Sequence, residues 1–337
     1  MRASLVRTLW CTAALLAAFL VVATTAVATP VEIDLIYPES VKTSFGGAAE
    51  NFRRLVESRS RGEIQVVPHA DGRWGGRTLE DPEMITEVRA GRIRMALVPT
   101  AHLSNLSPAL EVLNAPFLFK SYDHVRRVLD GPIGKRLLES SASRGVRGLA
   151  FVDGGFRLFA CTRPVARLSD FQGLRVRTLQ NRTYVSLVKA LGGVPVPAAM
   201  FKIRAMVERG FIDAADRSYP SYGSLELYDL LRYVTETNHA YVAKVFIVNE
   251  PFFGSLSPGQ RAIVDQAARE SAVRQRAAFA KEIDAVKKHA VSRGVRIIPL
   301  GAAERVALET AVRVVQEEVT RLAGVELVEQ VRAADRH

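Results

Sequence analysis

The stretch His239–Pro258, "HAYVAKVFIVNEPFFGSLSP", decides how this chain folds. Its first half is an apolar run that predicts a strand long enough to cross between two domains. Ser257 and Pro258 then provide a helix start, with serine as the cap and proline in the first turn. The helical pattern continues to about Arg293, a length of about 55 Å. Because this length exceeds one small domain, we predict a helix that spans two lobes.

The N-terminal part of the chain alternates strand and helix patterns. Strands are predicted over 31–37, 63–69 and 93–100, and helices over 48–59 and 81–91. Asp81 is the expected cap of the second helix, with Pro82 in its first turn. A β-α-β-α-β order is typical of an α/β domain with a largely parallel sheet.

The remaining patterns extend this to a two-lobed α/β fold with mostly parallel sheets. We predict lobe I from residues 29–152 plus about 240–256, and lobe II from residues 153–239. Residues 257–337 are expected to form the long helix and C-terminal elements, including one amphipathic helix over 302–322, that pack on both lobes. Since the sequence has no linker-like segment, the lobes should share several crossings and enclose a cleft.

The first 28 residues have the features of a secretory signal peptide. Arg2 and Arg7 precede an apolar run from Leu9 to about Val27, and Ala28 ends a small-x-small cleavage site. We therefore predict cleavage after Ala28 and export to the periplasm; an uncleaved membrane anchor is the alternative. Only Cys161 would remain, so no intramolecular disulfide is expected.

Composition and motifs narrow the classes of function. The formal net charge of +11 suits acidic partners, but export and the lack of any run of five basic residues argue against nucleic acid. The six histidines are scattered without metal-ligand spacing, and no nucleophile elbow or phosphate-binding loop is present. We therefore expect no metal, no cofactor and no enzyme, although acid-base catalysis leaves no local motif.

The segment Gly173–Tyr184, "GLRVRTLQNRTY", places two arginines on a short strand before a helix. Arg177 comes at the carboxyl end of the strand, and ligands of open α/β sheets bind beyond such ends. The helix that starts near Thr183 would add backbone N–H groups. A guanidinium group there could hold a carboxylate by two parallel hydrogen bonds. The residues alone leave open whether Arg177 instead pairs with a surface acid.

Five segments, in order, resemble those of one family. They are "LNAPFLFKSYDHVRRVLDGPIGKRLLE" (113–139), "GGFRLFACTRPVARLSDFQGLRVRT" (154–178), "ALGGVPVPAAM" (190–200), "ERGFIDAAD" (208–216) and "NHAYVAKVFIVNEPFFGSLSP" (238–258). Behind a signal peptide, they make the chain similar to the solute-binding proteins of TRAP transporters, of the DctP type. The resemblance covers nearly all of the chain after residue 28.

The resemblance implies a periplasmic-binding-protein-like fold whose two lobes close over an organic acid. It implies a carboxylate-binding arginine at Arg177 and a second basic contact from Arg157, for which a structural ion pair is the alternative. It also implies delivery to a sodium-coupled membrane permease; we expect a monomer. Asp216, Arg217 or Tyr219 are candidates to contact the polar remainder of the ligand.

Trp74 is a further candidate, to cover an apolar part of the ligand, with packing inside its own lobe as the alternative. The chain departs from the family at Lys202 and Arg204, which replace a glutamate and a tyrosine, and at Arg217, which replaces an asparagine. The added arginines favour a more anionic or larger ligand unless they face solvent. Dicarboxylates, 2-oxo acids, aromatic acids and sugar acids all remain open.

Three other functions stay open at this stage. The chain could be the binding subunit of an ATP-driven importer, or a periplasmic ligand sensor for a signalling protein. An exported enzyme acting on organic acids is the third, which the lack of a catalytic cluster disfavours.

Overall fold

Two mixed β-sheets, each flanked by helices, form the two lobes of the protein. The structure is a computed structural model that describes residues 29–335, so the predicted signal peptide lies outside the described residues. Among the helices described, none is long and apolar enough to cross a membrane. The predicted two-lobed α/β fold is confirmed.

The first sheet has five strands in the order β2-β1-β5-β12-β6. They are β1 (Val31–Ile36), β2 (Ile64–His69), β5 (Met95–Pro99), β6 (Val146–Phe156) and β12 (Tyr241–Asn249); the hairpin β3 (Arg73–Trp74) and β4 (Arg77–Thr78) stands apart. The strand β1 runs parallel to β2 and β5, whereas β12 runs antiparallel to β5 and β6. The helices of this lobe are α1 (Ser44–Arg59), α2 (Asp81–Arg89), α3 (Tyr122–Leu129), α4 (Pro132–Glu139) and α8 (Glu250–Ser255).

The second sheet has six strands in the order β13-β11-β7-β10-β8-β9. They are β7 (Leu158–Cys161), β8 (Arg175–Thr178), β9 (Val194–Pro197), β10 (Ala214–Arg217), β11 (Tyr233–Glu236) and β13 (Arg296–Pro299). Its helices are α5 (Arg182–Ala190), α6 (Ile203–Glu208) and α7 (Tyr219–Ser224). The central strand β7 pairs antiparallel on both sides, while β8 runs parallel to β9 and β10.

The long helix α9 (Pro258–Ser292) begins where the sequence predicts, with Ser257 as its cap. In the first lobe its Ser271 accepts a hydrogen bond from Asn51 at 3.0 Å. In the second lobe its Lys287 lies 2.6 Å from Glu236. The helix therefore spans both lobes, as expected.

The carboxyl end of β6, which leads into β7, lies directly against α9. Gly155 there has a φ of 93°, and a Cβ atom at this position would lie 2.8 Å from the Phe279 ring of α9. Only glycine combines this backbone conformation with so close an approach. The first crossing between the lobes is thereby held against the long helix.

The C-terminal region differs from the single helix predicted over 302–322. The structure breaks it at Val312 into α10 (Ala302–Ala311) and α11 (Arg313–Ala323), and adds α12 (Val325–Ala333). Within α11, Val315 packs in a core of the second lobe and Val319 in a core of the first. The break leaves a short helix wedged between the two lobes.

Candidate functional site

A cavity of about 20 Å³ lies where the two lobes meet. Its walls are formed by Pro38, Glu39, Asp81, Pro99, Gly154, Arg157, Arg177, Leu179, Met200, Arg217, Ser218, Ser221, Val242 and Lys244. This volume is about that of one water molecule, so the lobes stand closed on each other. A larger groove of about 350 Å³ runs beside the C-terminal helices. We place the site at the smaller cavity because its walls carry buried charged atoms without partners.

Arg177 lies in this wall, at the carboxyl half of β8, and is 1% exposed. Its Nε and Nη2 donate to the carbonyl oxygen of Ala198, and its Nη1 has no hydrogen-bond partner among residues 29–335. Burial, and then the positive charges of Arg217 and Arg157, lower the pKa of Arg177. Within the described residues, the side chain is thus buried without a contacting carboxylate, and its Nη1 is free to bind an anion.

Arg157 lies in the same wall but is already paired. Its guanidinium donates to the carboxylate and to the carbonyl oxygen of Asp216, and it stands 5.1 Å from the centre of the Tyr184 ring. Burial acts to raise the pKa of Asp216, but Arg157 and His239 hold it at about 2. Arg157 therefore forms the ion pair considered as its alternative role, and Asp216 lies behind it, outside the cavity wall.

Arg217, at the end of β10, is 3% exposed and also lines the cavity. Its Nη2 donates to the carbonyl oxygen of Ser221 at 3.3 Å, and its Nε is unpartnered within the described chain. Burial and the neighbouring charge of Arg157 lower the pKa of Arg217 to about 9. The strands β8 and β10 pair with each other, and Arg177 lies opposite Ala215. Arg217, two residues further along β10, is therefore close to Arg177.

Tyr219 and Trp74 are not among the lining residues of this cavity. The Tyr219 hydroxyl donates to Glu236 at 2.8 Å, and its ring lies 4.7 Å from the Lys287 ammonium group. Trp74 packs edge-on against His69 in its own lobe, with ring centres 4.9 Å apart. Both side chains are thus engaged in contacts away from this cavity.

The other added basic residues also lie outside the cavity wall. Lys202, in the second lobe, pairs with Glu80 of the first lobe at 2.5 Å, and Gln180 donates to the same carboxylate at 2.8 Å. Arg204 pairs with Glu208 at 3.0 Å on the exposed helix α6. Lys202 therefore joins the two lobes at their rim, and Arg204 faces solvent.

The helix N-terminus beyond β8 is occupied by its own cap. The side chain of Asn181 accepts hydrogen bonds from the backbone N–H groups of Thr183 and Tyr184. Its amide in turn donates to the carbonyl oxygen of Ala101 in the first lobe at 2.9 Å. The predicted donation of these N–H groups to a ligand is therefore replaced by a contact between the lobes.

Three charged lining residues were not predicted as site residues. Lys244 is a charge inside the apolar strand β12, where it pairs with Glu39 and lies 4.0 Å from the centre of the Phe45 ring. Burial lowers the pKa of Lys244. Asp81 was expected to cap α2, but Glu80 is the cap and Asp81 lies in the first turn. A lysine within an apolar strand was the one signal that the sequence offered.

Comparisons with known proteins identify the family to which the chain belongs. The pattern of the family "DctP: Bacterial extracellular solute-binding protein, family 7" matches residues 37–321. An uncharacterized protein of Haemophilus influenzae is 31% identical over 275 residues, which is 81% of each chain. The C4-dicarboxylate-binding periplasmic protein DctP of Rhodobacter capsulatus is 26% identical over 311 residues, or 92% of each chain.

A similar solved structure is that of the sugar acid binding protein DctPAm of Advenella mimigardefordensis in complex with galactonate. It has a TM-score of 0.86 and 27% sequence identity, and the match covers 91% of this chain and 98% of that one. The matched family pattern, the H. influenzae relative and the two-lobed fold lead to one conclusion. The chain belongs to the DctP family of bacterial extracellular solute-binding proteins, as the resemblance predicted.

Proposed function

We propose that this protein is a periplasmic receptor that binds an organic acid through Arg177 and delivers it to the membrane permease of a sodium-coupled TRAP transporter. The observation that carries the proposal is the free Nη1 donor of Arg177, buried at the junction of the two lobes. A bound carboxylate would supply the counter-charge that this guanidinium lacks. The named ligands of the R. capsulatus relative and of the A. mimigardefordensis neighbour are both carboxylates.

The neighbouring residues take supporting roles in this proposal. Arg217 offers its Nε to the same ligand, and Arg157, although paired with Asp216, lines the cavity beside it. Asp216 acts as a positioning residue, since it holds Arg157 by hydrogen bonds. We propose no ligand contact for Tyr219 or Trp74, because both are engaged elsewhere in the closed arrangement.

Closure of the lobes forms the surface that a permease would recognise. We assign residues 29–152 and about 240–256 to lobe I and 153–239 to lobe II, with 257–337 joining them; the boundary at 152 falls within β6, whose last residues still pair with β12 of the first sheet. The pair between Glu80 and Lys202 connects these lobes only when they are closed. The receptor acts as a monomer after removal of residues 1–28, and it releases its ligand chemically unchanged.

The proposal is tested by thermal shift of residues 29–337 against a panel of organic acids. A ligand should raise the melting temperature in a concentration-dependent way. Arg177→Ala should weaken binding of that ligand by about 2–5 kcal/mol, the usual effect of removing one partner of a buried charge pair. Recovery of the ligand unchanged after incubation, by NMR, would support a receptor over an enzyme.

The matched control is Arg175→Ala, two residues earlier on β8. Arg175 is bound by Asp213 at 2.6 Å at the outer end of the strand, so its removal should leave affinity unchanged. Equal affinity of the Arg177→Ala variant and the unmodified protein would refute the proposed site. Failure of every acid in the panel to shift the melting temperature would refute the receptor function itself.

A further inference from the structure

The two walls of the cavity between the lobes offer opposite chemistry. The wall from the second lobe presents N–H donors that have no partner among residues 29–335, Nη1 of Arg177 and Nε of Arg217. The wall from the first lobe presents free carboxylate oxygens, Oε2 of Glu39 and Oδ1 of Asp81. An ionised carboxylate can only accept hydrogen bonds, and a guanidinium can only donate them. A ligand that satisfies both walls must therefore be an acceptor at one end and a donor at the other.

Glu39 follows the end of β1 and is 2% exposed. Its Oε1 accepts from the ammonium group of Lys244, while its Oε2 has no partner in the described part of the chain. The ammonium group is also covered by the face of the Phe45 ring. Lys244 is thus neutralised by Glu39 and offers no free positive charge to a second acid group.

Asp81 is 7% exposed and lies at the start of α2, beside the Glu80 cap. Its Oδ2 is 3.5 Å from Nε2 of His102, and its Oδ1 is unpartnered within residues 29–335. With Lys244 and Glu39 paired, Asp81 makes this wall acidic. A carboxylate brought against it would meet like charge, which disfavours binding strongly when the charges are desolvated.

We infer that the ligand is a hydroxylated monocarboxylate of the aldonate type, and that Glu39 and Asp81 select it over unsubstituted diacids. The carboxylate end binds Arg177 and Arg217, and hydroxyl groups at the other end donate to Glu39 Oε2 and Asp81 Oδ1. This inference rests on the proposed function, since it takes Arg177 as the carboxylate anchor. A site built to accept hydrogen bonds from hydroxyl groups rejects analogues without them, because its buried oxygens are then left unpaired.

The test is isothermal titration calorimetry with two matched series of acids of equal chain length. The four-carbon series is threonate, butyrate and succinate, and the six-carbon series is gluconate, hexanoate and adipate. In at least one series we expect the hydroxylated acid to bind about tenfold or more tighter than both the plain monoacid and the diacid.

Two variants probe the selecting carboxylates. Glu39→Gln removes the counter-charge of Lys244 and Asp81→Asn removes the acidic charge of the wall. Each should lower the ratio of hydroxylated-acid to diacid affinity by about fivefold or more. The substitution weakens binding of the hydroxylated acid and reduces the repulsion that the diacid meets. Glu87→Gln, on the same helix α2 and paired with Arg92 at the surface, is the matched control and should leave the ratio unchanged.

The outcomes distinguish a failure of this inference from a failure of the proposed receptor function. The inference alone would be overturned if, in both series, the diacid binds as tightly as its hydroxylated counterpart, or if the affinity ratio is unchanged in both Glu39→Gln and Asp81→Asn. The same holds if none of these six acids binds while another acid of the broader panel does so in an Arg177-dependent way. If no acid binds at all, the proposed function fails as well.

Discussion

Arg157 and Arg177 are both buried in the wall of one cavity, yet within residues 29–335 only Arg157 has a contacting carboxylate. Arg157 is bound by the carboxylate of Asp216, whereas the described part of the chain binds Arg177 through the carbonyl oxygen of Ala198. A buried ion pair whose partner is removed leaves an uncompensated charge, which destabilises the fold. A buried cation that the fold itself leaves uncompensated already carries that penalty. The difference indicates that Arg157 serves the architecture and that Arg177 is kept for a ligand.

The largest expected effect on stability comes from breaking the ion pair between Arg157 and Asp216. Arg157→Met should lower the free energy of unfolding by about 3–5 kcal/mol, because it leaves the Asp216 carboxylate buried without its partner. Urea denaturation monitored by circular dichroism measures the change. The double variant Arg157→Met with Asp216→Asn should recover part of the loss. A single variant as stable as the unmodified protein would show that the pair is not structural.

Acid should break the same pair with a smaller effect. Arg157 and His239 outweigh the effect of burial and lower the pKa of Asp216 from 3.8 to about 2. Because the pKa of Asp216 is lower in the folded than in the unfolded protein, its ionised carboxylate stabilises the fold fully above about pH 4. This contribution of about 2 kcal/mol is lost as the pH falls towards 2. The pH dependence of unfolding between pH 4 and 2 should therefore be shallower in Asp216→Asn. Identical slopes in the two proteins would contradict this assignment.

Removing the unpaired arginine should have little effect on stability. Arg177→Met eliminates a buried charge but leaves the Ala198 carbonyl oxygen without its donors, so the two effects offset each other to within about 1 kcal/mol. Urea denaturation without ligand measures this change. A loss as large as that expected for Arg157→Met would remove the distinction between the two arginines.

The smallest effect is expected at the rim, where the charge pair is exposed. The side chain of Lys202 is 52% exposed, so its pair with Glu80 should contribute under about 1 kcal/mol. Lys202→Met should weaken ligand affinity less than about fivefold, and high salt should abolish the difference. Arg204→Met, which alters a basic residue outside the lobe contact, is the control. A loss comparable to that of Arg177→Ala would mean that closure is governed at the rim.

Local patterns predicted the elements that bear the site. The strand β8, the cap at Ser257 and the helix that spans both lobes follow from short segments, and the structure confirms them. The position of Arg177 at the cavity was foreseen for the same reason, although its role in binding stays a prediction. The family and its fold are likewise confirmed by the matched pattern and by the neighbouring structures.

The partners of these residues could not be found in this way. Asp216 meets Arg157 from 59 positions away, and Lys244 meets Glu39 from 205. Such contacts depend on strand order and on how the lobes close, which no local pattern encodes. For the same reason the hydrogen bond from Tyr219, a candidate ligand contact, to Glu236 could not be predicted.

The close approach of Gly155 to Phe279 has a practical consequence for detecting ligand capture. Because the chain there is fixed against the long helix, displacement on opening should concentrate at the far edge of the cleft, near positions 80 and 202. A donor and acceptor dye attached across that edge would change their energy transfer as the protein fills and empties. The same dyes beside residue 155 should show almost no change in energy transfer. The structure therefore indicates the edge near positions 80 and 202 as the place to attach a fluorescent reporter.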